Sequence, residues 1–252
     1  MSYKTALISG GSRGLGRDMA LSLAKDRVQV LFTYHSNETQ AEAVIAEIEQ
    51  LGSSAKAFQY DATKPMSGKE LITQVSSFLR TQNGEPKLDF LINNAGTGLY
   101  KKIADTRESD FDEMVNIHLK SVYFLTQAAL PLLPKGGRII NISSGLTRFS
   151  FPGASAYAIM KGGIEVFTRY LAKELGERKI TANVVAPGAI ATDFGGGTNR
   201  DNDEKRAIIS NITALGRVGE AEDVGGVVAF LCSNKAGWIN GQRIEVSGGM
   251  LV

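Results

Sequence analysis

The sequence predicts one doubly wound, parallel α/β sheet of about seven strands with helices on both faces. Three observations predict it. Short apolar runs alternate with helical periodicity along the whole chain, a glycine-rich turn joins the first run to the first helix, and several runs end in polar side chains. No internal repeat and no Pro- or Ser-rich linker interrupts this alternation, so residues 1–252 are read as one domain.

The elements follow in order. Lys4 to Ser9 is a short apolar run and reads as a buried strand. After it comes Gly10-Gly11-Ser12-Arg13-Gly14-Leu15-Gly16, then Met19, Ala20, Leu23 and Ala24 at helical spacing. A strand, a glycine turn and a helix start make a phosphate cradle, because helix N-terminal N–H groups and the dipole attract a diphosphate. The spacing is G-x-x-x-G-x-G and not the general dinucleotide fingerprint G-x-G-x-x-G. Val28 to Tyr34 is the second strand, and it runs into His35-Ser36-Asn37 with no acid before Glu38. An acid there would bond the ribose 2′-hydroxyl of NAD, whereas neutral donors beside Arg13 tolerate a 2′-phosphate. NADP(H) is therefore the expected cofactor and NAD(H) the alternative, with Glu38 reaching the ribose.

Ala41, Val44, Ile45, Ile48 and Leu51 mark a helix stopped by Gly52, and Ala55 to Tyr60 a third strand ending at Asp61-Ala62, where the acid either meets an adenine or, equally simply, stands as an exposed loop charge. Leu71, Val75, Phe78 and Leu79 mark the next helix, and Leu88 to Ile92 a fourth strand leading into Asn93-Asn94-Ala95-Gly96. Small residues there let the backbone pass close to a cofactor, and Asn93 can tie neighbouring strand ends. Ser109 to Leu133 reads as one long helix with Asn116 as a polar misfit inside it, and such misfits mark working sites. Gly137 to Ser144 is the fifth strand, delivering Ser143 and Ser144. A helix carrying Tyr157 and Lys161 then runs to Arg178, followed by a strand from Ile180 to Ala186 closed by Pro187-Gly188. Gly195-Gly196-Gly197 and the charged run Arg200 to Arg206 suit a substrate lid around 189–213, the plain alternative being a solvated loop. Asp223 to Ser233 is the last helix and Gln242 to Val246 the last strand.

Composition narrows the function. Hydrophobic content of 43% with 21% charged residues is ordinary for a soluble globular chain. A net charge of +2 without a dense basic cluster argues against nucleic acid. No apolar run approaches the ~20 residues that cross a membrane, and a strand-like start at Tyr3 to Ser9 argues against a signal peptide, so the expected location is cytoplasmic. The one cysteine, Cys232, lies in an apolar run and reads as packed rather than nucleophilic. Only two histidines are present, His35 and His118, without metal-ligand spacing, so neither a metal site nor a His-based triad is expected.

Tyr157 and Lys161 lie four residues apart, on one helix face with Cβ atoms roughly 5–6 Å apart. A free phenol titrates near pH ~10, and a neighbouring cation lowers that value. Reaching about 7 takes roughly 4 kcal/mol at about 1.36 kcal/mol per unit. The pair alone also fits a tyrosine packed over a lysine stem.

Taken together, Gly10, Gly14 and Gly16, Asn93-Asn94-Ala95-Gly96, Asn116, Ser144, Tyr157, Lys161 and Pro187-Gly188 resemble the short-chain dehydrogenase/reductase family, in its compact single-domain branch with a Rossmann-type sheet. The resemblance spans Thr5 to Gly249, with Ser9 in place of the family's usual Thr. It implies a catalytic tetrad of Asn116, Ser144, Tyr157 and Lys161: Tyr157 as general acid in carbonyl reduction and general base in alcohol oxidation, Ser144 on the substrate oxygen, Lys161 lowering the phenol pKa and holding the nicotinamide ribose, Asn116 fixing a water. Ser144 is preferred to Ser143 because its separation from Tyr157 is the family's usual one. The implied cofactor contacts are Gly10, Ser12, Arg13, Gly14, Leu15, Gly16, Tyr34, His35, Ser36, Asp61, Ala62, Asn93, Ala95, Gly96, Tyr157, Lys161, Pro187, Gly188, Ile190 and Thr192. A homotetramer is implied, built on the two long helices that begin near Ser109 and Ser155, with a second interface at the C-terminal strand. Ser12 to Arg17 and Val246 to Met250 resemble the 3-oxoacyl-[acyl-carrier-protein] reductase type, in which Lys135 and Arg178 would dock the acyl carrier protein near the site mouth. The expected activity is therefore an NADPH-dependent ketone, aldehyde or 3-oxoacyl reductase. An NAD-dependent alcohol dehydrogenase of the same family and a non-catalytic NADP(H)-binding sensor are the alternatives. The substrate pocket is expected between 97–102, 145–154 and 189–213.

Overall fold

The computed structural model describes residues 4–64 and 67–252; Tyr3, the expected start of the first strand, lies outside them. Seven parallel strands form one sheet: β1 (Thr5–Ile8), β2 (Gln29–Tyr34), β3 (Ala55–Gln59), β4 (Phe90–Asn93), β5 (Arg138–Ile142), β6 (Thr181–Pro187) and β7 (Arg243–Val246). Their order is β3-β2-β1-β4-β5-β6-β7, so β1 pairs with both β2 and β4. The strand order reverses there, and in open α/β sheets the crevice at that point, outside the carboxyl ends, is where ligands bind.

Helices cover both faces because the strands are apolar on both. On one face α1 (Gly14–Lys25), α2 (Glu38–Gln50) and α9 (Glu222–Cys232) bury Met19, Leu23, Val44, Val224 and Val228 against Ile8, Val30 and Phe32. On the other, α3 (Ser67–Asn83), α5 (Ser121–Ala129) and α6 (Ser155–Glu174) bury Leu71, Val75, Leu125 and Leu171 against Leu7, Leu31 and Leu91. Each such side chain contributes about 1.5–3 kcal/mol relative to exposure. Cys232 is buried among them, and burial pushes its thiol up to about 12, consistent with packing.

Two expected helices end differently. The stretch expected from Ser109 to Leu133 is helical from Glu108 to Ala129 and changes its hydrogen-bonding pattern partway. After α4 (Glu108–Val115) the chain makes a π-helical turn over Asn116–Lys120 before α5 begins, with the Ser121 N–H donating to the Asn116 carbonyl. Inserting a residue into a helix this way rotates the faces on either side of it, and it recurs at functional sites. The helix carrying Tyr157 stops at Glu174 instead of Arg178, and a 3₁₀ turn over Gly176–Arg178 ends at Lys179 with φ 55°. The charged run beyond β6 is helical: α7 (Thr198–Asp201) and α8 (Asp203–Asn211) follow three glycines with φ of 62°, 78° and 75°.

Candidate active site

A cavity of about 810 Å³ opens at the carboxyl ends of β1, β2, β4, β5 and β6. Its first wall is the turn between β1 and α1. Gly16 must lack a side chain, because a Cβ would stand 1.9 Å from the Gly10 carbonyl oxygen. The strand-end loop after β4 holds this turn: Asn94 Nδ2 donates to the Ser9 and Gly10 carbonyls at 3.1 and 2.9 Å. The Ser9 hydroxyl accepts from the N–H groups of Asn94 and Ala95, both at 3.0 Å, so the Ser in place of Thr keeps its bonds. Gly10, Ser12, Arg13, Gly14, Leu15 and Gly16 all line the cavity, as do Tyr34, His35, Asp61 and Ala62. Arg13 is exposed and heads α1. Glu38, the acid that would favour NAD, does not line the cavity and interacts with the Tyr34 hydroxyl.

β5 and α6 supply the second wall. Ser144, Tyr157 and Lys161 line it together with Pro187, Gly188, Ile190 and Thr192 from the end of β6. Lys161 is buried, and its Nζ donates to the Ile142 carbonyl at 2.8 Å while standing 5.4 Å from the Tyr157 ring centroid. Burial holds its ammonium down to about 8. Ser143 is occupied, donating to Glu165 at 2.8 Å, whereas Ser144 is half-buried and beside the phenol. Burial pushes the Tyr157 phenol up, Tyr100 adds to that, and the Ser144 hydroxyl pulls it back. Burying a phenolate here costs more than the Ser144 hydroxyl returns. At neutral pH the phenol keeps its proton.

Three expected contacts fall elsewhere. Ser36 does not line the cavity. Neither does Asn93, whose Nδ2 donates to Asn141 at 2.8 Å and Thr126 at 3.0 Å, tying β4 to β5 and α5. Asn116 does not line it either; the π turn brings Ile117 and His118 to the wall instead. His118 carries no metal-ligand or triad spacing, so nothing in the sequence singles it out. The aromatic side chains Tyr100, Phe149, Phe151 and Phe194, which no motif marks, line the cavity with Ile208 and Ile212 of the segment after β6. Arg148 is turned away: it pairs with Glu245 at 2.7 Å and donates to the Leu251 carbonyl at 2.9 Å. Lys135 and Arg178 precede β5 and β6, at the end of the sheet opposite the cavity, and Arg178 donates to the carbonyls of Leu130 and Leu133.

The family model described as enoyl-(acyl carrier protein) reductase matches residues 10–251. A 3-oxoacyl-[acyl-carrier-protein] reductase of Staphylococcus epidermidis is 37% identical over 249 residues, 98% of each chain. A promiscuous reductase that catalyses keto-reduction at C1 during lugdunomycin biosynthesis superposes with a TM-score of 0.94 at 39% identity, over 99% of this chain and 98% of that one. The landomycin C-6 ketoreductase, solved with NADP and rabelomycin bound, does so with a TM-score of 0.90 at 35% identity, over 98% and 96%.

Proposed function

The chain belongs to the short-chain dehydrogenase/reductase family of oxidoreductases acting on CH–OH and C=O groups, and we propose that it is an NADPH-dependent reductase of bulky, largely apolar ketones. The observation that carries this reading is a buried phenol beside Ser144 and Lys161, in a cavity walled by Tyr100, Phe149, Phe151, Phe194, Ile208 and Ile212. A phenol that keeps its proton is the acid a reduction needs and a poor base for the reverse oxidation.

The residues present fit a dinucleotide. The Gly10–Gly16 turn and the start of α1 would hold its diphosphate, Arg13 with Tyr34 and His35 its 2′-phosphate, Asp61 and Ala62 its adenine side, and Pro187, Gly188, Ile190 and Thr192 its nicotinamide side. When bound, the nicotinamide supplies the hydride that the carbonyl carbon receives. Tyr157 gives its proton to the carbonyl oxygen, Ser144 donates a hydrogen bond to the same atom, and Lys161 keeps a positive charge nearby as negative charge develops there. Segment 189–213 serves as a lid over the ketone: its glycine run precedes the helices that carry Asn199, Lys205 and Ile208 to the cavity. The engaged Arg178, at the opposite end of the sheet, favours free ketones over carrier-bound thioesters. The working unit is a homotetramer.

The test is a carbonyl panel followed by loss of NADPH absorbance. Tetralone and fluorenone are expected to give kcat/KM at least about tenfold above acetone and acetoacetyl thioesters, worth about 1.4 kcal/mol of pocket contact. Equal or greater efficiency with NADH would overturn the cofactor assignment, and preference for acetoacetyl thioesters the substrate class.

A further inference from the structure

The reductase reading leaves one buried side chain in the cavity without a task. His118 is 1% exposed, sits in the π turn and lines the same cavity as Tyr157 and Lys161. Its ring stands edge-on to Tyr157, with centroids 5.1 Å apart and planes at 88°. Its Nε2 lies 2.8 Å from the Thr97 carbonyl oxygen, which only accepts, so Nε2 carries the proton. Nδ1 is then a bare acceptor, buried and without a hydrogen-bond partner among the described residues. The backbone of Gly96 presses on the same edge: a Cβ there would come within 2.6 Å of His118 Cε1 and 3.2 Å of Nδ1. Burial first, and then the charge of Lys161, hold the imidazole neutral, down to about 3. On the other side, the Lys161 ammonium has three donors, and the Ile142 carbonyl takes one. A buried acceptor and a buried ammonium with donors to spare thus line one cavity, the arrangement a bridging water satisfies.

We propose that His118, and not Asn116, is the fourth side chain of the reacting cluster: a positioning residue whose ring braces Tyr157 and whose Nδ1 accepts from a water shared with Lys161. Within the reductase reading, on which it rests, His118 exchanges no proton. It holds the phenol and the ammonium at fixed orientation while Tyr157 donates. The π turn is what makes this possible, since it brings His118 to the cavity and leaves Asn116 off its wall.

Two readouts test it. The chain has only two histidines, and His35 is exposed, so the imidazoles of protein labelled with ¹⁵N-histidine are distinguishable by NMR. His118 is expected to stay in the Nε2–H form down to pH ~5, with an Nδ1 resonance typical of a hydrogen-bonded acceptor that moves in Lys161→Met. A protonated Nδ1, or one unaffected by Lys161, overturns the proposal, and this measurement holds whatever the substrate is. Steady-state kinetics then separate ring from acceptor. His118→Phe keeps the ring and loses Nδ1, and is expected to lower kcat about 10²-fold with KM and the NADPH Kd little changed. His118→Asn restores an acceptor and most of kcat, and Asn116→Ala stays within about twofold of the parent. Parental kcat in His118→Phe, or a loss in Asn116→Ala as large as that in His118→Phe, overturns it. If the parent reduces no ketone of the panel, the reductase reading fails and the NMR result alone decides the role of His118.

Discussion

Lys161 and Tyr157 illustrate how burial sets chemistry one residue at a time. The ammonium, held down to about 8 from an ordinary 10.5, is cationic below about 8 and loses its charge above it, while burial pushes the phenol up, toward its protonated form. Carbonyl reduction is therefore expected to fall along a single-ionisation limb as pH rises through about 8, read as log kcat/KM against pH. Stability moves the other way. Between about 8 and 10.5 the unfolded chain binds the proton that the folded chain has lost, so the lysine's contribution to folding becomes more favourable as pH rises. A flat rate profile across that interval would remove Lys161 from the proton-donating step. Replacing the phenol is the sharper test: Tyr157→Phe is expected to bind NADPH normally, by fluorescence titration, and to lose about 10²–10⁴-fold in turnover. The spacing of Tyr157 and Lys161 was legible in the sequence because a helix converts a separation of four into a shared face. The direction of the phenol's shift was not, because it depends on how much chain folds over it.

At the scale of elements, one ladder of side chains locks the sheet behind the site. Asn93 donates to Asn141, Asn141 Nδ2 donates to Thr168 at 2.9 Å, and Thr168 donates to the Ile164 carbonyl at 2.8 Å, linking β4, β5 and α6. Asn141→Ala strands a donor on Asn93 and an acceptor on Thr168 in a dry interior, each costing about 1–3 kcal/mol. A loss of about 2 kcal/mol or more is expected as a lower urea midpoint at unchanged m value. An unchanged midpoint would mean that the ladder is bridged some other way. The π turn belongs to the same scale. Met114, Ile117, Val122 and Leu125 are spaced by three, five and three, and the step of five, too long for an ordinary helical stripe, falls across the π turn. Asn116, singled out as a polar misfit within that helix, does not line the cavity, while Ser144 at a strand end and the Tyr157–Lys161 pair do.

Across the whole molecule, apolar side chains cluster where no element of the same chain covers them. Tyr123 and Phe124 on α5, and Val166 and Tyr170 on α6, are exposed, Tyr170 by 64%. At the far edge, beside β7, Trp238 is 98% exposed. Apolar surface gathered this way marks interaction sites more often than solvent-facing surface. Light scattering is expected to give four times the 27.0 kDa chain mass, and Phe124→Glu with Tyr170→Glu to give a smaller species. A monomer at micromolar concentration would refute the tetramer.

The sequence by itself determined the sheet, the glycine-rich turn and the Ser144, Tyr157 and Lys161 positions, because each is written in local spacing: alternating periodicities, glycines at a strand end, a hydroxyl at a strand end, and a phenol and an amine one helical turn apart. Only the tertiary structure decided what surrounds them. It placed His118 rather than Asn116 at the cavity wall, turned Arg148 and Arg178 to neighbouring backbone carbonyls, and assembled an aromatic wall from three separate loops. Those outcomes depend on which distant segments share a space, how a helix is phased and how deeply a charge is buried, and none of these is a property of neighbouring residues.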